Sequence, residues 1–200
     1  MEAEALILAG GKSTRMGGVH KGNLKIGEDT FLEHLVKEMR KEVGKIWISY
    51  GEKVHRRETD ICEIVLDEYI GCGPIGGLHA ALKKCGGSVI FVAACDMPFL
   101  QIELFRYLEQ FLSREQDAIV PVTEGKVHPL AAIYRKRILP VLKEQIEDRD
   151  YKMMHVLDRI KVRYVDVSDH PEFCRMLRNI NTTEAYNELL TSGTNEDGPV

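Results

Sequence analysis

Residues 5–18 read Ala5-Leu6-Ile7-Leu8-Ala9-Gly10-Gly11-Lys12-Ser13-Thr14-Arg15-Met16-Gly17-Gly18, and Lys21 follows three residues later. The apolar run Ala5 to Ala9 is too short for a helix and ends on glycine, so it is expected to be a strand running straight into a glycine-rich loop. Glycines let backbone N–H groups come close to phosphate oxygens, Ser13 adds a hydroxyl donor, and Arg15 and Lys21 neutralise charge. A triphosphate needs this set of groups. A plain strand-to-helix turn would account for Gly10 and Gly11 but not for the basic residues beside them. The loop carries neither the full Walker A pattern nor Gly-x-Gly-x-x-Gly.

Beyond the loop, short apolar runs alternate with longer amphipathic segments, the pattern of βα units around a mainly parallel sheet. The runs are 46–50, 64–66, 89–95, 118–122, 130–134 and 162–167. Phe31, Leu32, Leu35, Val36 and Met39 recur at helical spacing, and Thr30 with Glu33 supplies a capping box for that helix. Further helices are expected over 75–84, 102–111, 138–146, 151–160 and 183–190. The expected architecture is one three-layer α/β/α Rossmann-like domain with a mostly parallel sheet over residues 1–193. The polar, Gly/Pro-containing stretch 194–200 is expected to fray.

The 200 residues are 44% hydrophobic and 29% charged, enough apolar material for one sizeable core. A net charge of -4 offers a polyanion no overall attraction, which argues against a dedicated nucleic-acid binder. The five cysteines are odd in number and contain no C-x-x-C pair, so a zinc knuckle or a disulfide framework is not indicated. They are expected to be small core or loop residues. The first residues are acidic where a signal peptide is basic, and no apolar run is long enough to span a membrane. A cytoplasmic, non-membrane protein is expected.

Four later segments add to the loop: Asp67 to Leu78, with Gly-Pro-x-x-Gly-Leu at its end; Cys95-Asp96-Met97-Pro98; His128-Pro129-Leu130-Ala131-Ala132; and Asn179-Ile180-Asn181-Thr182-Thr183-Glu184. Together with L-A-G-G-x-S-x-R-M-G-x-x-x-K they resemble, in order and from residue 8 to residue 185, the motifs of the MobA-like molybdenum-cofactor guanylyltransferases. The resemblance implies a nucleotidyltransferase domain with its site at the carboxyl edge of the sheet. It also implies attack of the terminal phosphate of molybdopterin on the α-phosphorus of GTP, giving molybdopterin guanine dinucleotide and pyrophosphate. Arg15, Lys21 and Asp96 are then the catalytic candidates. Leu8, Ala9, Gly10, Gly11, Ser13, Arg15, Lys21, Asp67, Gly76, Gly77 and Asp96 would bind GTP. Asp96 would hold Mg2+, with Asn179 and Asn181 as near-metal contacts. Implied partners are GTP and molybdopterin, with other molybdenum-cofactor enzymes and apo-molybdoenzymes as protein contacts, and neither nucleic acid nor membrane.

Asp96 ends an apolar strand, where ligands of open α/β sheets bind, and a hard cation prefers carboxylate oxygen. Asp67 has the same placement and, with the glycines after it clearing room for a flat base, is expected to read that base. Glu68 beside it is a solvated alternative. His128 is given no proton-transfer role, since an anionic nucleophile needs no strong base and no catalytic His or Ser is expected. His155, with Met153 and Met154, is expected to pack. Two positions depart from the family pattern: His20 stands where an acidic residue is usual before Lys21, and Thr183 replaces a proline, leaving Thr182 or Thr183 to cap. Gly10, where cytidylyl relatives tend to carry alanine, tilts the base towards guanine. The alternatives are a cytidylyltransferase of molybdopterin or another small phosphate ester, a sugar-phosphate pyrophosphorylase, and a catalytically silent cofactor-binding module.

Overall fold

The computed structural model describes residues 3–10, 21–51 and 62–193. Strand β1 (Ala3–Leu8) pairs in parallel on both edges, with β4 (Ile46–Ser49) on one side and β6 (Val89–Ala94) on the other. The strand's side chains alternate between two faces: Leu6 and Leu8 enter one buried cluster, Ala5 and Ile7 the other. That is why its sequence is apolar at successive positions rather than every second one. Edge strand β5 (Cys62–Val65) continues the parallel set beyond β4. On the far side, β9 (Ala131–Arg135) runs antiparallel between β6 and β7 (Ala118–Thr123), and β10 (Val162–Asp166) closes the sheet parallel to β7. With β8 (Lys126–Val127) hairpinned onto β7, the sheet has eight strands and is mostly parallel. A separate two-stranded ribbon joins β2 (Lys25–Ile26) to β3 (Asp29–Thr30).

Helices cover both faces, giving the three layers. Leu35 and Met39 of α1 (Phe31–Met39), Phe105 of α3 (Ile102–Glu109) and Phe173 of α6 (Pro171–Met176) share one cluster with Ile7 and Phe91. Phe91 and Phe105 stack with centroids 5.1 Å apart. On the other face, α2 (Pro74–Lys84), α4 (Leu139–Glu147) and α5 (Met153–Asp158) pack Leu78, Leu142 and Val156 against Leu6, Ile90 and Val92. The last helix is α7 (Thr183–Gly193). Among the described residues no helix is long and apolar enough to cross a membrane.

The capping box expected for α1 is formed: the Thr30 hydroxyl accepts from the Glu33 N–H at 3.2 Å and the Glu33 carboxylate accepts from the Thr30 N–H at 2.9 Å. Several boundaries move. Helix α3 stops at Glu109 rather than Phe111, and α5 spans only Met153–Asp158 of the expected 151–160. Helix α6 has no counterpart among the expected helices. It has under two turns, with only Phe173 and Met176 buried, too little to display a period. Residues 194–200 lie outside the described residues.

One buried charge lies under the sheet. Glu4 is 6% exposed, and its carboxylate accepts the indole N–H of Trp47 together with the backbone N–H groups of Gly86 (2.7 Å) and Gly87 (2.9 Å). Three donors from two neighbouring elements make this carboxylate a staple between β1, β4 and the turn before β6. Glu4→Ala leaves the buried Trp47 and Gly87 donors without their acceptor, while the exposed Gly86 N–H can turn to water. The substitution is expected to lower the unfolding free energy by about 3 kcal/mol in urea denaturation; a loss below about 0.5 kcal/mol would show the staple to be dispensable.

Candidate active site

Parallel register sets the site. Leu8 pairs with Ser49 and with Ala94, and Ser49 pairs with Val65, so β6, β1, β4 and β5 end level with one another. The residues that follow them, Asp96, Gly10, Gly51 and Asp67, therefore emerge along one edge. This is the carboxyl edge at which open α/β sheets bind ligands.

The turn after β6 is fixed from both sides: the Cys95 N–H donates to the Leu8 carbonyl at 3.0 Å, and the Met97 N–H to the Ala94 carbonyl at 3.1 Å. The Asp96 carbonyl accepts the Ile180 N–H at 2.7 Å, which draws the Asn179–Asn181 segment alongside. Asn179 Nδ2 lies 3.4 Å from Asp96 Oδ2, and Lys21 Nζ lies 3.6 Å from the same oxygen. Lys21 also donates to Asn181 Oδ1. Lys21, Asp96, Asn179 and Asn181, spread over 160 positions of sequence, thus form one cluster. Asp96 Oδ1 and Asn179 Oδ1 are buried and have no hydrogen-bond partner. Two desolvated acceptor oxygens, one carrying charge, leave a deficit of positive charge that suits a hard divalent cation.

Asp67 belongs to a second cluster. Its Oδ1 accepts the Ser49 hydroxyl at 3.0 Å, and its backbone N–H donates to the Gly51 carbonyl at 3.2 Å. Glu68, its neighbour, turns away and pairs with Lys83 of α2 at 2.8 Å, which holds its carboxyl below the usual range. The structure thereby separates the two adjacent acids. It also corrects the reading of the glycines. A Cβ on Gly76 would sit 2.9 Å from Asp67 Oδ2, and one on Gly77 2.6 Å from Ser49 Oγ and 2.7 Å from Leu8 Cδ2. The space those glycines clear is filled by the Asp67 carboxylate and the strand ends, not left for a base. The same turn spells Gly71-Cys72-Gly73-Pro74-Ile75-Gly76, a dinucleotide-fingerprint spacing. A carboxylate packed against the start of α2 opposes a pyrophosphate there.

The start of the phosphate loop is corrected too. The N–H groups of Ala9 and Gly10 both donate to the Ser49 carbonyl, at 2.8 and 3.0 Å, so they are not aimed at a phosphate. A Cβ on Gly10 would lie 2.9 Å from the Tyr50 carbonyl carbon, so close backbone approach already explains this glycine without reference to the base. Gly11, Ser13, Arg15 and His20 lie outside the described residues.

His128 is 5% exposed, and its Nε2 is bonded to Thr123 Oγ1 at 2.6 Å. Burial lowers its pKa to about 4, so it is neutral at physiological pH. His155 is not a packing residue: it is exposed on α5 and pairs with Asp150 at 2.6 Å, while Met153 is buried and Met154 is 42% exposed. Cys72, Cys85 and Cys95 are buried and Cys62 and Cys174 half-buried, and none of the five is in a disulfide. Thr182, one of the two expected caps, stands just before α7, its hydroxyl accepting the Ala185 N–H at 3.2 Å.

Two residues draw no functional reading from the sequence. Ser49 ends the apolar run Ile46-Trp47-Ile48, so a polar strand end was the available signal. Tyr186 of α7 accepts the Lys25 N–H at 3.2 Å and donates to the Lys25 carbonyl at 3.1 Å, tying α7 to the ribbon that follows Lys21. Nothing local in the sequence announces that contact. A cavity of about 670 Å³ lined by Gly86, Ser88, Arg135 and Arg137 opens at the opposite edge of the sheet. Its arginines are occupied: Arg137 donates to the Arg114, Glu115 and Gln116 carbonyls and Arg135 to the Ser113 and Gln116 carbonyls.

Comparison with known proteins identifies the family. The family model described as "MobA-like NTP transferase domain" matches residues 5–164. A Bacillus subtilis strain 168 protein named "Probable molybdenum cofactor guanylyltransferase" is 34% identical over 187 residues, covering 92% of each chain. A Carboxydothermus hydrogenoformans protein of the same name is 32% identical, covering 92% of this chain and 93% of the relative. Among solved structures, the molybdopterin-guanine dinucleotide biosynthesis protein A from Archaeoglobus fulgidus superposes with a TM-score of 0.79 at 24% identity over 96% of this chain and 98% of that one. The 2-C-methyl-D-erythritol 4-phosphate cytidylyltransferase from Thermus thermophilus superposes with a TM-score of 0.71 at 14% identity, over 97% and 100%. Both structural likenesses establish the fold.

The His128 environment generates a pH prediction. Its pKa falls from 6.5 when exposed to about 4 when folded, so the unfolded chain binds its proton first. The stabilisation is complete above pH 6.5 and is lost as pH falls from 6.5 towards 4. His79 and His34, also lowered by burial, act in the same direction. In urea titrations, wild type is expected to lose roughly 2 kcal/mol more than His128→Gln between pH 6.5 and 5. Parallel pH curves would show that the imidazole titrates normally in the fold.

Proposed function

Since the chain belongs to the family of MobA-like NTP transferase domains, we propose that it transfers GMP from GTP to the terminal phosphate of molybdopterin, in its molybdenum- or tungsten-bearing form, releasing pyrophosphate. The observation that carries this reading is the cluster of Lys21, Asp96, Asn179 and Asn181 at the carboxyl edge of the sheet. It occurs in a chain that shares about a third of its residues with guanylyltransferase-named relatives over nearly its whole length. A cytoplasmic setting goes with this reading.

The reacting phosphate is an anionic nucleophile, so the chain has little covalent work to do. Lys21 supplies positive charge to the phosphates from its place between Asp96 and Asn181, and Arg15 adds a second charge from the loop. Asp96 Oδ1, with Asn179 Oδ1 beside it, offers the hard oxygen ligands that Mg2+ requires. When bound, the metal neutralises charge on the triphosphate and on departing pyrophosphate. Asp67 accepts the N1–H and N2–H of guanine, which one carboxylate can take together. Asp67 and Asp96 follow β5 and β6, three strand spacings apart in the sheet, about 14 Å. One extended nucleotide bridges that span. The shared fold with a cytidylyltransferase keeps cytidylyl transfer as the second reading.

Purified protein with Mg2+, molybdopterin and a panel of nucleoside triphosphates, followed by pyrophosphate release, tests the proposal. GTP is expected to exceed CTP by about a hundredfold or more in kcat/KM, because guanine offers the Asp67 carboxylate two adjacent donors where cytosine offers one. Equal values would defeat the guanine assignment. Asp96→Asn keeps the shape but removes the charge, and turnover is expected to fall by at least about a hundredfold with an unchanged unfolding curve. Near-normal turnover at saturating Mg2+ would take Asp96 out of the site.

A further inference from the structure

We infer that Ser49 is a specificity-positioning residue, which sets the orientation of the Asp67 carboxylate and through it the selection of guanine. The inference rests on the guanine reading of Asp67 given above. Ser49 is 3% exposed and closes β4. Its hydroxyl has one proton and two acceptor sites. The proton goes to Asp67 Oδ1 at 3.0 Å, and one acceptor site takes the Gly51 N–H at 3.4 Å. The hydroxyl is thereby turned, and its proton is committed to the carboxylate.

The start of α2 is shaped around this pair. A Cβ on Gly77 would meet Ser49 Oγ at 2.6 Å and one on Gly76 would meet Asp67 Oδ2 at 2.9 Å, so each glycine accommodates one member of the pair. The Ser49 hydroxyl restrains one carboxylate oxygen, and the other sits in the space that Gly76 leaves at the start of the helix. Rotation about the Asp67 Cβ–Cγ bond, otherwise broad for this residue type, is closed off. A base with two adjacent donors needs both carboxylate oxygens in one plane, whereas a base with one donor needs only one. Loss of the restraint therefore weakens recognition of guanine more than of cytosine. Ser49 does not reach the reacting phosphorus: it closes β4, and Asp96 follows β6 on the far side of β1.

The test compares kcat/KM for GTP and CTP, with Mg2+ and molybdopterin, in wild type, Ser49→Ala, Asp67→Asn and the double variant, beside thermal unfolding of each. Ser49→Ala is expected to lower the GTP/CTP ratio by about tenfold, the size of one hydrogen bond to a charged group, with most of the loss in KM for GTP. The double variant is expected to match Asp67→Asn alone, because the serine acts only through that carboxylate. CTP serves as the internal ruler. If Ser49→Ala lowers both nucleotides together, the serine only supports the fold and the inference is overturned. If Asp67→Asn changes the ratio and Ser49→Ala does not, the guanine reading stands and the role of Ser49 falls. If Asp67→Asn leaves the ratio unchanged, the guanine reading of Asp67 fails first.

Discussion

The parallel pairing of β1 with β4 and β6 is the constraint on which the rest depends. Leu8 lies opposite both Ser49 and Ala94, so strands from three distant parts of the chain stop at one level. A slip of one residue would exchange the two buried faces of β1 and reverse the side on which every strand-end group emerges. Burial on both faces penalises that slip, because Leu6 and Ile7 sit in two different, fully packed clusters. The Glu4 staple fixes the same register from the opposite edge. Packing energy spent on the sheet is thus what aligns Asp67 and Asp96 without any direct contact between them.

Polar groups at that edge divide into satisfied and unsatisfied sets. The Asp67 carboxylate is held by Ser49, and Glu68 is drawn off to Lys83. Around Asp96, in contrast, one oxygen faces Lys21 and Asn179 while the other, with Asn179 Oδ1, is buried without a partner. Folded chains rarely leave such groups unpaired, since each costs about 1–3 kcal/mol. Single unpartnered atoms also occur on His34, His79 and Gln145, but here two acceptor oxygens, one of them a carboxylate's, lie in one hydrogen-bonded cluster, the local cost expected where a cation would restore the balance.

Much of the fold was legible because its signals are local and repeated. Apolar runs between amphipathic segments indicated the layers, and the Thr30–Glu33 box indicated where α1 begins. Asp96 and Lys21 stood out because charged residues beside a buried strand end and a glycine-rich loop have few structural uses. What sequence did not reveal depends on register and distance. Ser49 becomes informative only when β4 and β5 are aligned, and Tyr186 only when α7 lies against the ribbon after Lys21. The glycines at 10, 76 and 77 show a different difficulty. A missing side chain reads equally well as room for a ligand and as room for another part of the chain, and here neighbouring strands and side chains occupy the space.

The two clusters also lie on opposite sides of β1, so the two tasks proposed for them rest on different parts of the chain. Asp96, Lys21 and the Asn179–Asn181 segment depend on β6 and on the carboxyl-terminal part of the chain. Asp67, Ser49 and the glycine turn depend on β4, β5 and α2. Among the described residues the printed hydrogen bonds join members within each cluster, so under the proposed roles a change around Asp67 is expected to leave the Asp96 cluster in place. The matched fit of Gly76 to Asp67 and Gly77 to Ser49 restricts how such changes proceed. A larger side chain at either glycine meets the Asp67 carboxylate or the Ser49 hydroxyl first, so a substitution there acts on the pair and its helix together rather than on one residue alone.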